Sequence, residues 1–174
     1  MRDACPAVMN EPCALRCYEY VNRSYDEVRA LLQERALEVF QSATTSATER
    51  ARALAATLRI SLGGIAIGVD VRITVGAVEE VAGPRGVQRA TAVVLGWTAA
   101  HATALFPSMS ARLSAWPLSG AETQLELDGS YRPPMGIVGE AIDAAVGHLI
   151  AEACVKRFLD DVVEQIRREL PGPR

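Results

Sequence analysis

Met135–Leu170, MGIVGEAIDAAVGHLIAEACVKRFLDDVVEQIRREL, is the stretch that decides the fold. It reads as one long amphipathic helix of about 50 Å, wider than a small domain. Pro133-Pro134 precedes it and Pro171-Gly172-Pro173 follows it, the punctuation expected at helix ends. Val138, Ile142, Ala145, Val146, Leu149 and Ala153 share one apolar face. Val155, Leu159, Val162, Val163, Ile166 and Leu170 form a second, turned by roughly 100° on an ideal wheel. Lys156, Asp160 and Arg167 continue the first face, so a straight rod on a flat surface cannot satisfy both halves. A bend is expected, with Gly147 as its weak point, since a mid-helix Gly costs up to about 1 kcal/mol relative to Ala. The half containing Phe158, Leu159 and Ile166 is the expected packing anchor. The Ala- and Gly-rich half would approach a sheet closely or roof a space.

A helix of this kind needs a receiving surface, and the preceding chain supplies one. Cys13 to Val21 reads as a short strand, with Tyr18, Tyr20 and Val21 favouring extended backbone. Ser24 and Glu27 match the capping box that opens a helix, with Tyr25, Val28, Leu31 and Leu32 inward. A second short helix is expected over Glu34–Gln41, with Ser42–Ser46 as its exit loop. From about Arg52 the period reads as two: Leu54, Ala56, Leu58, Ile60 and Leu62 alternate with small or polar residues, although the front of this run equally fits a helix.

After Gly63-Gly64, the residues Ile65, Ile67, Val69, Val71, Ile73 and Val75 make the cleanest strand in the chain. Gly83-Pro84-Arg85-Gly86 is a turn. Val87–Ala100 then sets Thr91, Val93, Leu95 and Trp97 on one side. Pro107–Leu118 sets Met109, Ala111 and Leu113 opposite Ser110, Arg112 and Ser114. Beyond Ser119-Gly120, Thr123, Leu125, Leu127 and Tyr131 alternate with Glu122, Gln124, Glu126 and Asp128. Short turns between consecutive strands predict an antiparallel meander. The fold class is α+β: a curved antiparallel sheet of about six or seven strands wrapped around the long C-terminal helix, with two short helices after the first strand. Residues 1–12 are expected to be a flexible tail and 13–174 one domain.

Composition narrows the function. The 174 residues are 49% hydrophobic and 22% charged, a globular balance. A net charge of −3, with arginines interleaved among acids, gives no electrostatic footprint for nucleic acid. No apolar run approaches the ~18 residues that cross a bilayer. Met1–Pro6 lacks a signal-peptide core, so a cytoplasmic address is expected. In that compartment the four cysteines are expected as free thiols. Cys13 and Cys17 share a strand face but stand about 13 Å apart, too far to bridge. Aromatic residues make up only 5%, and many inward positions are Ala or Gly, which leaves room for a cavity in a curled sheet.

The order of elements, with Val21-Asn22-Arg23-Ser24-Tyr25-Asp26-Glu27-Val28 after the first strand, resembles the START-related, polyketide-cyclase-like (SRPBCC) superfamily. Gly129-Ser130-Tyr131-Arg132-Pro133-Pro134 and Gly147-His148-Leu149-Ile150-Ala151-Glu152-Ala153 resemble actinobacterial members of that group. The resemblance spans nearly the whole chain in architecture, and its local motifs carry no catalytic signature. It implies a helix-grip fold and a hydrophobic or amphipathic small molecule held between the curved sheet and the last helix. Some relatives are polyketide cyclases or aromatases, others lipid carriers, and one branch regulates a chaperone.

Sharper chemistry finds little support. His148 and Glu152 stand at i and i+4, yet a third ligand is missing and Cys154 points nearly the other way, so no metal and no cofactor is expected. Ser108, Ser110 and Ser114 lack an adjacent base, and the glycine turns match no phosphate loop. No catalytic residue is assigned. Trp97, His101, Arg112, Trp116, Tyr131 and Arg132 are the residues able to orient a polar group, although Arg112 and Trp116 share the outer parity of Ser110 and Ser114.

The expected role is binding, transport or sequestration of a hydrophobic, lipid-like molecule by a monomer or homodimer. The expected lining is Val71, Ile73, Val93, Leu95, Trp97, Met109, Leu113, Leu125, Leu127 and Tyr131 from the sheet, and Ile142, Val146, Leu149 and Ala153 from the helix. A polyketide cyclase or aromatase would need a wetter, titratable pocket. A pocketless interaction or regulatory domain would show a filled core and an exposed apolar patch.

Overall fold

The structure, a computed structural model, describes residues 12–62, 71–87, 89–99, 108–132 and 144–170. Strand β1 (Cys13–Val21) leads into α1 (Tyr25–Leu62). Strands β2 (Val71–Val81), β3 (Ala90–Ala99), β4 (Ser108–Pro117) and β5 (Thr123–Arg132) follow, and α2 (Ala144–Glu169) comes last. The strands form one sheet in the order β1-β5-β4-β3-β2, with every neighbouring pair antiparallel. Four consecutive strands thus make the expected meander, and β1 adds to its far side beside β5. The architecture is α+β, a curved antiparallel sheet with a C-terminal helix, as the helix-grip expectation required.

Two expectations need correction. The described sheet has five strands, where six or seven were expected. The alternating run Leu54–Leu62 belongs to α1, whose 38 residues are two helices joined at a kink at Arg35; the two helices expected after the first strand are therefore present, and the second runs on to Leu62. Alanine and leucine satisfy a period of two and a period of 3.6 alike, and their helix propensity decides the outcome. The Ser42–Ser46 cluster is no loop, because its threonines turn their hydroxyls back onto the helix: Thr44 Oγ1 donates to the Phe40 carbonyl at 2.7 Å and Thr45 Oγ1 to that of Gln41 at 3.1 Å. The capping box forms as read. The Ser24 N–H donates to Glu27 Oε2 at 3.0 Å, and the Glu27 N–H reaches Ser24 Oγ at 3.5 Å.

The bend expected at Gly147 does not form. Gly147 lies within uninterrupted helix, and the break in helical geometry is in α1, at Arg35 (φ −136°, ψ 25°). There the Arg35 guanidinium ties Glu38 on its own helix to Glu169 at the end of α2. Arg23 donates to the Leu170 carbonyl, so the C-terminal end of α2 is clamped from two sides. The tail through residue 11, the positions Ile65, Ile67 and Val69, and the helix start at 135–143 lie outside the described residues.

The core forms where both helices meet the inward parity of the strands. From α2 it takes Val155, Phe158, Leu159, Val162, Val163 and Ile166, and from α1 Val28, Leu32, Val39 and Phe40. Burial of each such side chain is worth about 1.5–3 kcal/mol. Phe158 stands edge-on to Trp97, with ring centroids 5.1 Å apart, and is tilted against Phe40 at 6.3 Å. The terminal helix does not cover the sheet alone, as the sequence reading assumed. It packs on α1 and β1, while α1 packs on β2 and β4.

Candidate functional site

Register sorts the inward residues into rows that cross the whole sheet. One row runs Ile73–Trp97–Met109–Tyr131–Cys13, from β2 through β3, β4 and β5 to β1. The next is Val75–Leu95–Ala111–Gly129–Leu15, and the third Val78–Val93–Leu113–Leu127–Cys17. The first row lies where β2 begins, β3 ends, β4 begins and β5 ends, so we call this the open end. Leu113 and Leu127 keep 0% exposure, with no surface that water could reach from outside or from an interior void. Trp97 keeps 7%, Tyr131 5%, and Met109 is half-buried. Accessible surface on the inward face of the central strands therefore rises toward the open end.

The expected lining divides along this gradient. Ile73, Trp97, Met109 and Tyr131 come together in one row at the open end. Val93, Leu95, Leu113, Leu125 and Leu127 keep 0–1% exposure within the same buried cluster that also holds Ile73, Trp97 and Tyr131 and against which Met109 packs. Val71 opens β2 opposite Ala99, one row further out. Ala153 is exposed on α2, against its expected inward face. The wheel set it with Val146 and Leu149, whereas the helix docks through the face of Val155, Phe158 and Leu159. Of Val146 and Leu149 only the helical backbone is described, and Ile142 lies outside the described residues, as does His101.

Two small residues that the lining omitted shape the second row. A Cβ built on Gly129 would stand 2.4 Å from Ala111 Cβ and 2.6 Å from the Ser110 carbonyl oxygen. Only glycine lets β5 approach β4 so closely, and a glycine inside a strand pattern is the sequence signal for such a contact. With Ala111 opposite, the floor below Met109 and Tyr131 carries almost no side chain.

The polar groups are few. The Trp97 indole N–H donates to Thr44 Oγ1 at 3.2 Å, so its hydrogen bond is spent on α1 and the ring is held by its polar edge. Burial, and after it the negative charge of Glu152 on α2, push the Tyr131 phenol above its ordinary value. Tyr131 therefore stays neutral across the working pH range, a hydroxyl beside the N-terminal half of α2. Burial likewise pushes the Cys17 thiol in the third row up to about 12, with Lys156 opposing the shift. Cys17 and Cys154 are in no disulfide, whereas Cys13 is disulfide-bonded. The expectation of four free thiols rested on an assumed reducing compartment, and Cys13 overturns it.

Outside the cup, Arg112 is exposed and Trp116 half-buried on the outer parity, as read. Arg16 binds Glu126 and Asp128 on that same face. No group of three metal-ligating side chains occurs among the described residues, and no described helix is long and apolar enough to cross a membrane.

The chain is similar to the crystal structure of a conserved protein from Geobacillus kaustophilus, with a TM-score of 0.51 at 11% identity over 90% of this chain and 97% of that one. The fold is of the helix-grip type. The aromatase/cyclase Zhui from Streptomyces sp. R1128 matches with a TM-score of 0.47 at 14% identity, over 92% and 98% of the two chains. A START superfamily protein from Mycobacterium smegmatis matches with a TM-score of 0.45 at 9% identity, over 90% and 99%. At these identities the likeness is one of fold alone. No protein-family model matches the chain, and neither does any curated protein.

Proposed function

We propose that this protein reversibly binds a hydrophobic small molecule at the open end of the cup. The row Ile73–Trp97–Met109–Tyr131 would form one wall and the N-terminal half of α2 the other. The observation that supports this reading is the gradient along the inward face. Apolar and aromatic side chains with residual surface gather at one end, and solid packing fills the other. Selection would come from the shape of the floor at Ala111 and Gly129 and from one hydroxyl, that of Tyr131. The domain spanning residues 13–174 would act as a carrier or a sequestering cup.

Native mass spectrometry of the purified protein, before and after exposure to a panel of fatty acids and polycyclic aromatics, tests the reading. The expected result is a one-to-one adduct that organic solvent releases and that Met109→Ala weakens by about tenfold, the effect of roughly 1.4 kcal/mol. A protein that neither carries nor acquires any adduct overturns it.

A further inference from the structure

The disulfide at Cys13 has a partner that the cysteine count identifies. The chain contains four cysteines: Cys5, Cys13, Cys17 and Cys154. Cys13 is disulfide-bonded, whereas Cys17 and Cys154 are in no disulfide. Within one chain that leaves Cys5, which lies outside the described residues. Only the stretch Pro6–Pro12 separates the two, so the bond would close a short ring at the start of the chain.

Cys13 also stands beside the proposed ligand site. It opens β1, keeps 2% exposure and faces Tyr131 across the register of the first row. The side-chain ties that hold β1 gather toward its other end. Lys156 bonds Glu19, and Gln124 Nε2 donates to the Glu19 carbonyl at 2.9 Å. Thr123 Oγ1 donates to the Arg23 carbonyl, just past the strand, at 2.8 Å. Strand ends loosen unless something fastens them. At Cys13 the fastening is covalent.

We propose that Cys5 and Cys13 form a disulfide that holds the β1 side of the open end against Tyr131, so that ligand affinity there depends on the redox state of the chain. The dependence of affinity rests on the ligand-binding reading above. Cys13 has almost no surface, so a thiolate from a dithiol reductant attacks the Cys5 sulfur and Cys13 leaves. The second thiol of the reductant then displaces Cys5 from the mixed disulfide. The protein bond takes up two electrons and two protons and becomes two thiols, while the dithiol becomes a cyclic disulfide. The start of β1 then loosens from β5, and Tyr131 loses a fixed neighbour in its row.

Trypsin cleaves after Arg2 and Arg16, so the peptide Asp3–Arg16 carries both cysteines. In full-length protein equilibrated with oxidised glutathione, that peptide is expected to be lighter by two hydrogens than after reduction. Two such peptides joined together, or one carrying glutathione, overturn the pairing. Binding of aminoanthracene, followed by its fluorescence, reads the consequence. Dithiothreitol is expected to raise the dissociation constant by about tenfold, and reoxidation to restore it. Cys5→Ser, which leaves the buried Cys13 in place, should bind as weakly as the reduced protein and ignore dithiothreitol. Equal affinity of the oxidised and reduced forms overturns the proposal. If neither form binds the probe, the ligand reading is what fails, and hydrogen exchange decides the role of the disulfide. Faster exchange at residues 13–15 on reduction supports it, and unchanged exchange overturns it.

Discussion

The two ends of the sheet's inward face differ in how completely their side chains are buried. At one end Leu113, Leu125 and Leu127 are fully buried in the same core as Leu159 and Ile166, while Phe158 stands edge-on to Trp97 of the first row and tilted against Phe40 of α1. Two rows away, Met109 and Tyr131 stand over a floor of Ala111 and Gly129 and keep some surface. The two ends have the same hydrophobic alternation, so composition does not separate them.

The contrast is tested most clearly at Cys17, half-buried at the β1 end of the third row. Its thiol is pushed from 9.0 to about 12 by burial, so in the native protein it stays protonated until strongly alkaline pH. Its thiolate population at pH 8 is then roughly a thousandfold below that of an ordinary thiol. Alkylation followed by peptide mass spectrometry is expected to leave Cys17 unmodified in the native protein and to label it in urea. Because the native value is the higher one, this thiol's contribution to stability holds below pH 9 and fades as pH rises toward 12. Rapid native labelling would place Cys17 in an open space.

Truncation comes next. Leu127→Ala is expected to cost about 2–5 kcal/mol in urea denaturation, because a filled site leaves a cavity. Met109→Ala, half-buried, is expected to cost only about 1 kcal/mol. Equal costs would erase the distinction between the ends. Between them, Gly129→Ala is expected to cost about 1–3 kcal/mol by overpacking. Adding Ala111→Gly relieves only part of this, because the Ser110 carbonyl oxygen still stands 2.6 Å from the new Cβ.

The smallest effect is at the tie between β1 and α2, where Lys156 bonds Glu19 and Asp160. The pair is largely solvent-exposed, and Lys156→Ala is expected to cost no more than about 1 kcal/mol. The bond to Lys156 lowers the Glu19 carboxyl, so its contribution is present above the ordinary carboxylate range and is lost as acid titrates through the lowered value. Acid melts of the wild type and of Lys156→Ala should converge at low pH.

Much of this was legible in the sequence, for local reasons. The bounds of β1, the capping box at Ser24 and the inward parity of β3, β4 and β5 follow from alternation and side-chain chemistry within a few residues. The length of α1 was not, because its Ala-rich second half fits either period and its threonines mimic a loop until their back-bonds are seen. Nor was the division of the lining legible. Whether Leu127 or Tyr131 meets a helix depends on register across all five strands, on the shift between Val75 and Val78, and on α1 sharing the sheet. These are non-local facts, and alternation says only which face, never how far along it the cover extends.

Crystals pressurised with xenon, which settles in apolar voids of suitable size, distinguish an accessible end from a filled one. A xenon site is expected within about 4–5 Å of Met109 and Trp97, and none among Leu113, Leu125 and Leu127. Xenon lodged between those leucines and Phe158, with the open end unoccupied, would contradict it.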